Sequence, residues 1–510
     1  MFAMKRGFMR LRSLWNRYAS LTVAFLAILP STSVAQQIAI GAYSVARANS
    51  YPGGITVGPD GALWFSQVFS IGRITTAGTI TEYDTPGGTT TGDVCTGPDG
   101  ALWFTGTFDN NIGRITTAGV FTMFPPVPTP GSLPDGITAG PDGALWFTET
   151  YGNNIGRITT GGAVKEYPVP TANSSPGSIT AGPDGAIWFT EGAGNIGRIT
   201  TGGVFTEYII PTAGSSPGGI TTGPDGALWF TEGAGKIGRV NTGGVFTEYP
   251  LPTGAPGPVG ITTGPDGALW FTQGNYYGPS DIGRITTAGV ITEYRVPTTG
   301  ALPSEYISVV TGPDGELWFT ESYDNAIGEA VFVTANLTVS PATASYNTAL
   351  TFTGSLFAPN ENVRIYKKGV GSQVLASAAA DSTGSFTVSG RAPESPNGLR
   401  IFLGVGQTSG KVGAASFSVT PRLIVTPSSG PVGRSVSISG YGFGANDQVQ
   451  VNWHNPDMLI GFATTDPYGT FKGTAALTFT VPSGSPTGPD GVFGIGQTPH
   501  VVGTGRFTVQ

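Results

Sequence analysis

Histidine is nearly absent from this 510-residue chain. Only His454 and His500 occur, so residues 36–335 hold none. That stretch therefore has no imidazole, the side chain that titrates near neutral pH without tuning. Cysteine is rarer still. Cys95 stands alone, which excludes an internal disulfide. It sits in Val94-Cys-Thr96 with no histidine near it in sequence, so it reads as a structural thiol rather than a nucleophile. Charge is sparse, 11% of residues. Before residue 36 there are five basic and no acidic side chains. The remainder then has 20 basic and 32 acidic residues, a formal charge of −12. Such a surface lacks the basic patches that nucleic acid requires. No run beyond residue 35 is long enough to cross a bilayer as a helix. No useful helical periodicity appears there either.

What the chain has in abundance is glycine, 80 residues, and proline, 40. They fall at regular turns. Gly-Pro-Asp-Gly begins at Gly58, Gly97, Gly140, Gly182, Gly223, Gly264 and Gly312, at intervals of 39, 43, 42, 41, 41 and 48 residues. A tryptophan follows each copy, from Trp64 to Trp318. A period near 40 with one aromatic signature per unit predicts a propeller of four-stranded blades. In the fifth unit the strands are read at 219–222, 228–231, 237–240 and 245–249. The turns between them are supplied by Pro224-Asp225-Gly226 and Asn241-Thr-Gly-Gly244. Leu228-Trp-Phe230 lacks polar alternation, so the tryptophans are expected between stacked blades.

Spacing separates two faces. The distance from Gly-Pro-Asp-Gly to Trp is constant. From the Arg of Ile-Gly-Arg to the fourth-strand aromatic it is always ten residues. The other two connections vary. In an up-and-down blade the two fixed turns share one face and the two variable loops share the other, the face where ligands are usually held.

Residues 1–35 read as a secretory signal. Lys5, Arg6, Arg10, Arg12 and Arg17 precede the apolar run 21–29, and Ser33-Val34-Ala35 fits a cleavage site. The expected destination is the periplasm, the cell surface or the exterior, with no membrane span once the signal is removed. Ala42-Tyr43-Ser-Val45 resembles the end of a fourth strand, and the seventh unit lacks one. The amino-terminal strand is therefore expected to complete blade seven within 36–335. Past residue 336 the signature ends, and two related segments follow, 336–421 and 422–510. Leu337-Thr-Val-Ser-Pro341 matches Leu423-Ile-Val-Thr-Pro427, and Gly404-Val-Gly-Gln-Thr408 matches Gly494-Ile-Gly-Gln-Thr498. Their length and strand rhythm predict two immunoglobulin-like β-sandwiches, and Gly440-Tyr-Gly-Phe443 also resembles bacterial surface modules of that kind. The expected class is thus all-β: a seven-bladed propeller followed by two sandwiches.

The unit Gly-Pro-Asp-Gly-Ala-Leu-Trp-Phe-Thr-Glu … Ile-Gly-Arg-Ile-Thr-Thr … Thr-Glu-Tyr resembles the streptogramin B lyase (virginiamycin B lyase) family over residues 38–333. The resemblance implies a seven-bladed ring and, in enzymatic members, elimination at a depsipeptide ester with magnesium and a histidine base. Here the histidines are missing from the ring, so no catalytic residue can be assigned.

Other candidates come from the loop face. The residue after Trp-Phe-Thr or its equivalent is Gln67, Gly106, Glu149, Glu191, Glu232, Gln273 and Glu321. It is expected to open onto that face, where carboxylates either cap loops or meet a cation. Tyr276 and Tyr277 lie in the longest loop, near Tyr306, Tyr323 and Asn325. Tyrosines and amides together suit a small-molecule, peptide or glycan ligand. The recurring Asp and Arg of each unit read as structural pairs. Three functions follow: a ligand-binding or altered-chemistry relative of the lyases, an active lyase with a carboxylate base, or a surface adhesion scaffold. Under the last, removing 336–510 would leave the propeller folded.

Overall fold

Each Gly-Pro-Asp-Gly copy closes a tight turn whose aspartate organises the blade around it. In the fifth blade Gly226 has φ +70°, which a side chain disfavours. Asp225 Oδ1 accepts from Trp229 Nε1 at 3.0 Å, and Oδ2 accepts from Arg239 Nε at 2.7 Å. The same Asp–Trp–Arg triplet recurs in blades one to six, with Arg–Asp distances of 2.6–2.7 Å. A Tyr or Phe of the fourth strand stacks on the indole, as Tyr249 does on Trp229 with ring centres 5.6 Å apart. That ring also fills the space over a turn glycine of the following blade. A Cβ on Gly244, for instance, would lie 2.4 Å from Tyr208. The motif is thus a chain of contacts that builds one blade and seats it on the next.

The computed structural model describes residues 37–47, 49–252, 257–274, 281–295, 308–368, 374–453, 458–497 and 501–510. The signal-like segment, Tyr276, Tyr277, Tyr306, His454 and His500 lie outside the described residues.

Seven four-stranded antiparallel sheets make the ring. Six are consecutive in sequence. The seventh joins the strands Val309–Thr311, Leu317–Glu321 and Ala326–Val333 to Gln37–Ser44, in register from Gln37 opposite Val333 to Ser44 opposite Ala326. All seven indoles are fully buried, each packed on apolar residues of the next blade. The hydroxyl after Trp-Phe bridges blades as well. Thr231 Oγ1 donates to the Val259 carbonyl at 2.7 Å, and Thr320 closes the ring by donating to the Gly53 carbonyl at 2.8 Å. Cys95 packs beside the cluster of Trp103 and Ile137, and burial pushes its thiol well up.

Two eight-stranded β-sandwiches follow, with the same strand order in each. Their cores are separate clusters, one around Phe352, Phe402 and Phe417, the other around Phe443, Trp453 and Phe507. Among the described residues the only helical segments are two three-residue 3-10 turns. No helix there is long and apolar enough to cross a membrane.

The first sandwich is docked on blade seven where that blade departs from the repeat. Glu329 stands in the place of the recurring Arg, so Asp314 has no partner arginine in its own blade. Lys368 of the sandwich supplies the cation. It pairs with Glu329 and lies 3.7 Å from Asp314. Tyr43 donates to Glu329 Oε2 at 2.9 Å, and buried Arg400 sits over the Tyr43 ring and donates to the Ala42 carbonyl. The first sandwich thus supplies a cation to blade seven, through Lys368, and a backbone contact to its closing strand, through Arg400.

Candidate functional site

The strand ends that face the variable loops repeat a polar core. In blades one and three to six the second strand closes with Glu or Gln, and the fourth strand carries Glu two residues before its own end. In blade six Gln273 Nε2 donates to Glu293 at 2.9 Å; in blade one Gln67 does so to Glu82 at 3.1 Å. Blades three, four and five put two glutamates in these positions: Glu149 with Glu166, Glu191 with Glu207, and Glu232 with Glu248. Two carboxyl groups can share a hydrogen bond only if one is protonated. Burial first, then the adjacent carboxylate, pushes Glu191 and Glu232 up to about 7, and Glu149 moves the same way.

The fourth-strand partner of each pair holds a loop. Glu166 accepts from Thr129 N at 2.8 Å and Thr129 Oγ1 at 2.7 Å. Glu207 and Glu248 accept in the same manner from Thr171 and Thr212. Lys236 Nζ adds a third donor to Glu248 at 3.0 Å, which helps keep that carboxyl ionised and its pKa low. A line of carboxyls thus ties the inter-blade loops to the ring.

Glu232, expected to open onto the loop face, is instead wholly buried, and Glu321 is 8% exposed. The reason is the third-strand glycine between the second and fourth strands: a Cβ on Gly197 would lie 2.6 Å from Glu191 Oε1 and one on Gly328 2.7 Å from Glu321 Oε1, so the carboxyl lies across the sheet instead of pointing outward. Glu321 has no glutamate opposite, because Ala42 occupies that site on Gln37–Ser44. Burial, then Asp324, pushes it up to about 8. Asn325 is a loop anchor: its Oδ1 accepts from Ser50 N at 3.0 Å and its Nδ2 donates to the Val45 carbonyl at 3.1 Å. Asn110 and Asn153 do the same in blades two and three. All three sit at positive φ, which Asn tolerates. Tyr323 meets Tyr51 edge to face with ring centres 5.9 Å apart.

Sequence reasoning missed the residues that do reach solvent there. Tyr51, Phe69, Phe108 and Tyr151 are 45%, 47%, 75% and 77% exposed, on loops of blades one, two and three. With Tyr323 they form an aromatic arc from blade seven to blade three. Blades four and five carry Gly192-Ala-Gly194 and Gly233-Ala-Gly235 instead. Tyr51 and Phe69 are held at φ +46° and +66°, a left-handed backbone strained for aromatic residues, with both side chains half in water. Their chain positions, between strand ends of variable spacing, were the available signal.

A seven-bladed ring closed by its amino-terminal strand, with one loop-bearing face, is the class these features define. A family model for the virginiamycin B lyase family matches residues 38–256 and 232–348, and this chain belongs to that family. Among solved structures it is similar to a streptogramin B lyase, at 38% identity and TM-score 0.54, covering 58% of this chain and 98% of that one. It is similar also to a catalytically inactive histidine-to-alanine virginiamycin B lyase from Staphylococcus aureus with quinupristin, at 40% identity and TM-score 0.54, covering 58% and 99%. Comparison with curated protein sequences finds no match. Among the described residues no three His, Cys, Asp or Glu side chains gather as a metal cluster. Glu149 and Glu191 each accept one hydrogen bond from an Asn of their own blade, at 3.2 Å, while Oε1 of both and both carboxyl oxygens of Glu232 are buried without a hydrogen-bond partner.

Proposed function

We propose that this protein is an exported member of the virginiamycin B lyase family that binds a ligand on its variable-loop face without the family's histidine chemistry. The observation that carries the reading is the pairing of an aromatic arc on that face with a ring that has no histidine between residues 36 and 335. Elimination beside a carbonyl needs a positioned base that exchanges a proton near neutral pH. The similar S. aureus protein is catalytically inactive as a histidine-to-alanine variant. Exposed aromatic side chains suit a peptide-like, glycan or small-molecule ligand with apolar faces. Tyr323 and the loop tyrosines Tyr276, Tyr277 and Tyr306 extend the same chemistry in sequence. Export is supported by the basic and apolar pattern of residues 1–35, and the two sandwiches fit an immunoglobulin-like role at or beyond the cell surface.

A second reading has one observation in its favour. Glu321 is pushed up to about 8, so a carboxyl able to exchange a proton near neutral pH exists without histidine. It would make the protein a lyase with a carboxylate base. Incubating the mature chain with a type B streptogramin, with and without magnesium, separates the two. Calorimetric binding without ring opening by mass spectrometry is the expected result. Ring opening that disappears in Glu321→Gln overturns the first reading in favour of the second.

A further inference from the structure

The two sandwiches are copies, and one position breaks the copy. In the second sandwich the strand Gln448–Trp453 points Val449, Val451 and Trp453 inward. Trp453 fills the end of the core against Phe479 and Phe507, with ring centres 5.1 and 5.9 Å away. In the first sandwich the equivalent strand is Asn362–Lys367, with Val363 and Ile365 inward and Lys367 in the tryptophan's place. The register confirms the equivalence. Val363 pairs with Gly406 and Lys367 with Phe402, as Val449 pairs with Gly496 and Trp453 with Val492.

Lys367 is 6% exposed. An ammonium group at a core position is costly unless it is well partnered. Its Nζ donates to the Glu394 carbonyl at 3.2 Å, the one hydrogen bond recorded for it among the described residues. Beside it lies a cleft of about 920 Å³, walled by Tyr346, Lys367, Arg391 and Glu394 of the first sandwich and by Tyr468 of the second. The charges around it do not cancel. The Glu394 carboxylate is taken by Lys472 of the second sandwich. Arg391 gives Nη1 to the Asn347 carbonyl at 2.9 Å and pairs with no acid among the described residues. Arg400 adds a further positive charge behind Lys367. Two basic side chains thus line a cleft whose single acid is already neutralised.

We propose that this cleft between the sandwiches binds a small carboxylate-bearing ligand, with Lys367 and Arg391 as its cationic contacts. The carboxylate completes the unsatisfied donors of a buried ammonium, and the tyrosines give a flanking surface for the rest of the molecule. Burial, then Arg400, lowers Lys367 to about 7, against the opposing pull of Glu394. An anion bound there captures the protonated amine, so affinity is linked to proton uptake.

The test uses calorimetry on the full chain with D-glucuronate and, as the matched neutral probe, D-glucose. Glucuronate is expected to bind and glucose not. Affinity for glucuronate should fall about tenfold between pH ~6 and pH ~8, as Lys367 loses its proton. Lys367→Met, which restores an apolar side chain at the core position, should abolish binding. Arg391→Gln, at an exposed position, should weaken it and keeps the test valid if the first variant does not fold. Equal binding of the two sugars, no binding of either, no pH dependence, or undiminished binding by both variants overturns the proposal.

Discussion

The buried glutamate pairs make stability depend on pH in a direction opposite to that of most proteins. Each pair needs one proton to form its hydrogen bond. Glu232 is wholly buried and raised to about 7, against about 4.3 for an exposed Glu in the unfolded chain. Between those values the folded chain holds a proton that the unfolded chain has lost. Unfolding then releases a proton, so stability is fully present below about pH 4 and is lost as pH rises through about 7. Each tenfold change in proton activity over that window is worth about 1.4 kcal/mol. The limit for one pair is therefore about 3.7 kcal/mol, and water entry should bring it to about 1–2 kcal/mol. The chain contains its own control: blades one and six place Gln67 and Gln273 where Glu232 stands, and each amide donates to the fourth-strand Glu without a proton. Glu232→Gln should therefore raise stability at about pH 8 by about 1–2 kcal/mol and leave it nearly unchanged at about pH 5. The assay is urea unfolding followed by tryptophan fluorescence, which the seven buried propeller indoles dominate. A variant equally destabilised at both pH values, or one with no pH-dependent difference from the parent, would refute the proton-sharing account.

Other expectations follow from the same contacts. Trp229→Ala removes an indole packed between blades five and six and should cost about 3–5 kcal/mol, read as a lower melting temperature. Lys368→Met leaves buried Glu329 without its cation and should cost about 3 kcal/mol, whereas adding Glu329→Arg restores the repeat's Arg–Asp pair with Asp314 and should recover most of it. Phe69→Gly relieves a left-handed backbone and should be stabilising or neutral within about 1 kcal/mol, yet weaken binding of a type B streptogramin by calorimetry; unchanged affinity would remove Phe69 from the ligand face.

The propeller was legible because its contacts are local and repeated. Asp225, Trp229, Arg239 and Tyr249 lie within one unit, so seven copies of that spacing fix seven copies of one geometry. Even the closing strand showed itself, since Tyr43 stacks on Trp318 as Tyr83 does on Trp64. The loop face was less legible. Whether Glu232 opens to solvent depends on a strand that begins at Phe246, whose register sets Glu248 opposite Gly238, the glycine that separates it from the second strand. The clue was present as a correlation: Glu or Gln closes the second strand wherever Glu sits in the fourth, and Gly106 closes it in blade two, where Met123 replaces that Glu. The aromatic arc had no such pattern, because Tyr51, Phe69, Phe108 and Tyr151 occupy loops of different length and repeat at no fixed offset.

In a chain built from copies, the departures from the copy carry the particular information. Glu329 in place of arginine sets a second carboxyl beside Asp314, and the countercharge arrives with Lys368 of the first sandwich, while Tyr43 of the blade itself donates a hydrogen bond to Glu329. Lys367, the next residue back along that chain, departs in the other direction, putting a cation where its sister domain buries Trp453. One lysine is satisfied by the propeller and the adjacent one is not satisfied by anything comparable. Packing accounts for the first, since a docked domain must neutralise the buried acids it covers. It does not account for the second, because an apolar side chain would fit that core position better. The contrast between neighbouring residues of the same type is what separates an interface from a candidate site.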